Sequence, residues 1–180
     1  MELNSQPPPL VWVVMGSDSD LPVMAAALQT LEQFEVPYAV SIASAHRCTD
    51  YVLDLAKAAS SRGVRVIIAG AGLAAHLPGV IAAATTLPVI GVPLASGPLV
   101  GQDALYAIVQ MPPGIPVATV GIAAAQNAAL LAVRILGSSD AEVAVKLQQY
   151  AAQLQAGVLA KNHKLQELGY KKYLEGMPSK

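Results

Sequence analysis

The stretch LVWVVMGSDSDLP, residues 10–22, decides the fold. Leu10 to Met15 is an apolar, β-branched run of strand length, Gly16 ends it, and Asp20-Leu21-Pro22 offers a helix cap with proline in the first turn. Leu21, Met24, Leu28 and Leu31 then recur at helical spacing. The order is strand, loop, helix.

The same unit recurs down the chain. Val36 to Ala43 predicts a second strand, and Thr49 or Asp50 can cap a helix whose Val52, Leu55, Ala56 and Ala59 form one face up to Gly63. Val64 to Ala69 is a third strand, ended by Gly70-Ala71-Gly72 and followed by a short helix near Ala74 to Ala84. Val89–Val92 and Val117–Val120 predict two further strands, with helices over Asp103–Val109 and Ala123–Leu136. These apolar runs are continuous rather than alternating, as expected when both faces of a parallel sheet are covered. The expectation is an α/β domain over residues 11–137, a Rossmann-like (flavodoxin-like) three-layer sandwich with a parallel sheet of about five strands. Residues 1–10, with Pro7-Pro8-Pro9, read as an N-terminal extension. After Asp140, the spacing of Val143, Leu147, Tyr150, Leu154 and Val158 predicts a long C-terminal helix within 138–168, packed on the domain or on a neighbouring subunit. Residues 169–180 read as a tail.

Composition narrows the partners. Eleven basic against 12 acidic side chains in 180 residues leave no clustered positive charge for nucleic acid or an acidic membrane. A small molecule fits better. Hydrophobic residues make up 54%, yet Gly and Pro interrupt every apolar run before it reaches the roughly 20 residues of a membrane span. The apolar surplus instead predicts contacts between subunits in a homo-oligomer. Met1 to Leu10 lacks a basic-then-apolar leader, so a cytoplasmic location is expected. Cys48 is the single cysteine, and no His pair has metal-ligand spacing, which predicts no metal.

Three strand ends carry the candidate chemistry. Ser17, Ser19 and Asp20 surround the first, where hydroxyls and loop amides suit a phosphate, or where Ser and Asp simply cap a helix. Ser44-Ala45-His46-Arg47 follows the second. A histidine has an ordinary pKa of about 6.5 and moves protons near neutrality, while arginine presents a flat fork of donors to an anion. Ala71-Gly72-Leu73 and His76 follow the third strand, with glycines that let backbone approach a ligand. Cys48 borders this set as a packing group or, less simply, a nucleophile. His163 reads as solvent-facing.

In this order, Gly16-Ser17-Asp18-Ser19-Asp20, Ser44-Ala45-His46-Arg47, Gly70-Ala71-Gly72-Leu73-Ala74-Ala75-His76-Leu77-Pro78-Gly79 and Ala107-Ile108-Val109-Gln110-Met111-Pro112 resemble the class I PurE family, the N5-carboxyaminoimidazole ribonucleotide mutases of purine biosynthesis. Asn127-Ala128-Ala129-Leu130-Leu131-Ala132 extends the match. The resemblance implies a cofactor-free isomerase that moves a carboxylate from the exocyclic nitrogen to ring carbon C4, and an octamer. It implies that His46 takes the C4 proton, that Ser17, Ser19 and Arg47 hold the 5'-phosphate, and that Asp20 holds the ribose. Ala71, Gly72 and Leu73 would line the pocket, with Ser44, Ala45 and His76 beside them. Three departures from the family pattern stand out: Cys48-Thr49 stands for Thr-Pro, Leu73 for a frequent glycine, and Asp18 adds negative charge to the first loop, so its side chain is expected to point away from a phosphate. Direct carboxylation of aminoimidazole ribonucleotide, carboxylation of another nucleotide, and a catalytically idle nucleotide-binding module remain open alternatives.

Overall fold

A computed structural model describes residues 7–178. Residues 1–6 of the expected N-terminal extension and residues 179–180 of the expected tail lie outside that range. The chain runs β1 (Val11–Met15), α1 (Leu21–Gln33), β2 (Tyr38–Ile42), α2 (Thr49–Ala58), β3 (Val66–Gly72), α3 (Leu77–Ala84), β4 (Val89–Leu94), α4 (Gln102–Val109), β5 (Ala118–Thr119), α5 (Ala125–Gly137) and α6 (Ala141–Glu175).

All strand pairings are parallel, in the order β2-β1-β3-β4-β5. β1 is buried along its whole length because helices cover both faces. Its Val11, Val13 and Met15 join Met24, Leu31, Ala128 and Val133 on the side of α1, α5 and α6. Trp12 and Val14 point the other way, among Val52, Ala56, Ile81 and Ile108. Trp12 Nε1 donates to Ser41 Oγ at 3.0 Å, which satisfies the one polar atom of a ring that is only 4% exposed. This is the expected α/β sandwich. The chain leaves β1 for β2 on one side and later places β3 on the other, so the sheet has a switch point between β1 and β3, where open α/β sheets form their crevice.

Local chemistry moves several boundaries. Asp20 does not cap α1 with its side chain; Ser17 instead accepts from the Ser19 amide, Asp20 returns a bond to the Ser17 amide, and Asp18–Asp20 forms a 3₁₀ turn ahead of the helix. Neither Thr49 nor Asp50 caps α2: Cys48 holds that position, and the Thr49 hydroxyl donates to the Ala45 carbonyl at 2.7 Å. The Gly70-Ala71-Gly72 run continues β3 rather than ending it, paired with Val92, Pro93 and Leu94. Gly70 lets Met24 pack closely on the strand, since a Cβ there would lie 2.5 Å from Met24 Sδ. α3 accordingly starts later than expected, at Leu77. Pro93 sits in β4 at no cost to the ladder, since β5 pairs only with Ile90 and Gly91 and ends before reaching it.

α6 begins with Asp140, whose Oδ1 accepts from the amides of Glu142 and Val143. Its first turns pack Val143, Leu147 and Tyr150 on the domain, with Tyr150 against the Phe34 ring at 5.4 Å between centroids. From Ala151 to Glu167 every residue is exposed. The expected end of this helix at residue 168 is a break at Gly169 (φ 70°, ψ 157°), after which helical structure resumes to Glu175. Only glycine adopts that conformation freely.

Candidate active site

The loops after β1, β2, β3 and β4 open on one edge of the sheet and surround a pocket of about 480 Å³. Ser17, Ser19 and Asp20 line it from the first loop, and Ser44, Ala45, His46 and Arg47 from the second. Ala71, Gly72, Leu73 and His76 line it from the third. The structure thus brings these eleven residues to one cavity.

Arg47 ties two of these loops together. Its Nη2 donates to the Gly16 carbonyl at 3.0 Å and its Nε to Ser44 Oγ at 3.3 Å, which suspends a permanent positive charge beside the two serines. Ser19 Oγ donates to Ser17 Oγ at 2.9 Å, and Ser17 Oγ to Asp18 Oδ1 at 3.1 Å. Asp18 is exposed and does not line the pocket, yet its carboxylate holds the Ser17 proton and the Ser19 amide. Asp20 Oδ2 accepts from the Ser17 amide at 3.1 Å, and burial pushes its pKa above the ordinary 3.8, with Arg47 and the Gly16 and Ser17 amides pulling the other way.

His46 and His76 come from different loops but meet, His46 Nε2 lying 2.7 Å from His76 Nδ1 with the rings edge to face. One ring supplies the N–H and the other the lone pair. Both are exposed to the pocket. The pair stands next to Arg47, so a proton-moving group and an anion-holding group share one wall.

Two features escape sequence reading. Ser96, on the β4–α4 loop, also lines the pocket, along with Ala74, Ala75 and Leu77. No motif marks Ser96; its flanking Gly97-Pro98 reads as plain turn chemistry. Leu73 (φ 55°) and Ala75 (φ 46°) both adopt left-handed backbone, closed by a bond from the Ala75 amide to the Gly72 carbonyl. Cys48 turns away from the cavity: Sγ accepts from the Ser44 amide and donates to the Ser44 carbonyl, so the thiol closes the loop from behind.

The chain is 56% identical over 171 residues to the N5-carboxyaminoimidazole ribonucleotide mutase of Synechocystis, covering 95% of this chain and 97% of that protein. It is 53% identical over 175 residues to the phosphoribosylaminoimidazole carboxylase of Saccharomyces cerevisiae, covering 97% of this chain but only 31% of the yeast protein. The crystal structure of Treponema denticola PurE superposes with a TM-score of 0.80 at 31% identity, covering 87% of this chain and 98% of that one. The sequence model of AIR carboxylase matches residues 10–157, and the chain belongs to that family.

Proposed function

We propose that the protein is an isomerase that converts N5-carboxyaminoimidazole ribonucleotide to its C4-carboxylated isomer without a cofactor. The observation that carries this reading is the meeting of His46 with His76 beside the Arg47 clamp, in a chain 56% identical to a protein named as that mutase. Arg47, Ser17 and Ser19 hold the 5'-phosphate, since together they offer a guanidinium and two hydroxyl donors at one loop. Asp20 accepts from the ribose hydroxyls. Ala45, Ala71 and Gly72 let the ring approach the backbone, and Ser44 keeps Arg47 in place.

The chemistry balances without an oxidant. The carbamate C–N bond breaks with its electron pair remaining on nitrogen, which takes up one proton and releases carbon dioxide. Ring carbon C4 then donates a pair to that carbon dioxide. The C4 proton passes to a ring nitrogen of His46 as aromaticity returns, so one proton enters and one leaves.

A second reading, direct carboxylation of aminoimidazole ribonucleotide, draws on the name of the yeast relative. Supplying the purified protein with the N-carboxylated ribonucleotide, and separately with aminoimidazole ribonucleotide and bicarbonate, distinguishes them. Efficient product formation from the first at ambient carbon dioxide is expected; product from both only at high carbon dioxide establishes the carboxylase. Binding without turnover of either establishes the idle module.

The working protein is a homo-octamer in the cytoplasm. What supports assembly is the row of exposed apolar side chains on α6, namely Leu154 (56%), Val158 (65%) and Leu159 (57%), which a soluble monomer leaves in water. Among the described residues no helix is long and apolar enough to cross a membrane.

A further inference from the structure

The loops after β3 and β4 interlock reciprocally. A Cβ on Gly72 would stand 2.6 Å from Ser96 Oγ, and a Cβ on Gly97 would stand 2.8 Å from Leu73 Cδ2. Gly72, at the end of β3, therefore receives the Ser96 side chain, and Gly97 receives that of Leu73. Leu73 reaches this position through left-handed backbone (φ 55°) that glycine enters freely and leucine does not, and its side chain remains 53% exposed at the pocket. Glycine at position 73 would relieve the backbone and expose no apolar surface. A leucine that is both strained and half-exposed has its use on the open side.

The sheet order locates that side. Arg47 follows β2 and bonds Gly16 after β1, whereas Leu73 and Gly97 follow β3 and β4, at the other end of the row of loops. A ligand anchored at Arg47 extends past the His46–His76 pair toward Leu73. In the carboxyl transfer proposed above, the group that leaves nitrogen and waits for C4 is carbon dioxide, small and uncharged. It is held by methyl groups and lost to water.

We infer that Leu73, latched on Gly97, is a specificity-determining residue that walls the ring end of the pocket and retains the carbon dioxide released there. Its role is to favour recapture at C4 over escape. The inference rests on the carboxyl-transfer reading.

The test uses the full-length protein and N-carboxylated ribonucleotide carrying ¹³C in the carboxylate, in buffer with unlabelled bicarbonate, corrected for decarboxylation without enzyme. The wild-type protein is expected to keep most of the label in the C4 product. For Leu73→Gly, the ratio of label lost to label kept should rise by about fivefold or more, with KM nearly unchanged because the phosphate end is untouched. Its melting temperature should not fall, since the substitution removes strain. Leu73→Met, which restores a long apolar side chain, should return the ratio toward wild type. Equal label loss in Leu73→Gly and wild type overturns the inference, as does equal loss from the Gly and Met variants. Absence of turnover by the wild-type protein overturns the carboxyl-transfer reading itself, and the inference with it.

Discussion

Arg47 and His46 are neighbours in sequence, but the turn that carries them sends the guanidinium across to Gly16 and the imidazole to His76. Their substitutions should therefore fail differently. His46→Asn is expected to lower kcat by about 10²–10⁴ with the melting temperature preserved. Arg47→Ala should chiefly raise KM, by roughly 10- to 100-fold, the scale of losing a charge-assisted bond to phosphate. Steady-state kinetics with the N-carboxylated ribonucleotide separates the two; a common effect on KM alone contradicts the assignment. Asp20 adds a pH signature. Its carboxyl pKa is raised above 3.8, so holding the charged form costs the folded state nothing below the ordinary value and the full penalty above the raised one. Asp20→Asn should thus melt at or above wild type at pH 7, and this advantage should vanish as the pH falls toward 3.8, while the proposed ribose role predicts a KM raised about tenfold. Thermal scans across pH that show a constant offset contradict it. These residues were legible in the sequence because each follows the end of an apolar strand. Ser96 was not, because nothing local separates a pocket-lining serine from one that merely completes a turn.

Among the elements, β4 tolerates least. A Cβ on Gly91 would lie 2.4 Å from Ile108 Cγ2 and 3.0 Å from Val117 Cγ1, branched side chains fixed on both sides. On Gly70 it would meet the flexible end of Met24. Gly91→Ala should destabilise by about 1–3 kcal/mol and Gly70→Ala by less, because Met24 can change rotamer and a β-branched neighbour cannot. Denaturant titration measures both, and equal losses contradict the distinction. The order of strands and helices was legible because burial on both faces writes continuous apolar runs. Boundaries were less so. Gly70-Ala71-Gly72 signals a stop in isolation, and only the pairing with β4 makes it a strand, with Met24 of α1 packed on Gly70. Likewise Asp20 is a good helix cap by type, but Ser17 three residues earlier claims it for a capping box.

At the scale of the molecule, α6 divides into a docked start and a projecting remainder. Lys146 Nζ bonds both the Glu35 carboxylate and the Phe34 carbonyl, which pins the start to the turn before β2 and holds the Glu35 carboxyl below its ordinary 4.5. The remainder carries the apolar row. Leu154→Lys combined with Val158→Lys should leave the domain folded but reduce the proposed octamer to smaller species in sedimentation velocity; an unchanged assembly contradicts a role for this row of side chains in it. The all-parallel sheet has a kinetic consequence as well. No two adjacent strands can be joined by a tight hairpin, so every pairing awaits the folding back of an intervening crossover. The pocket draws on loops from residue 16 to residue 96, and it cannot exist until β4 has docked. Trp12, sealed in β1 between β2 and β3, reports the burial of that scaffold by its emission. During refolding, nucleotide capture should never run ahead of the tryptophan signal: a newly made chain completes its scaffold before it can recruit a ligand to help.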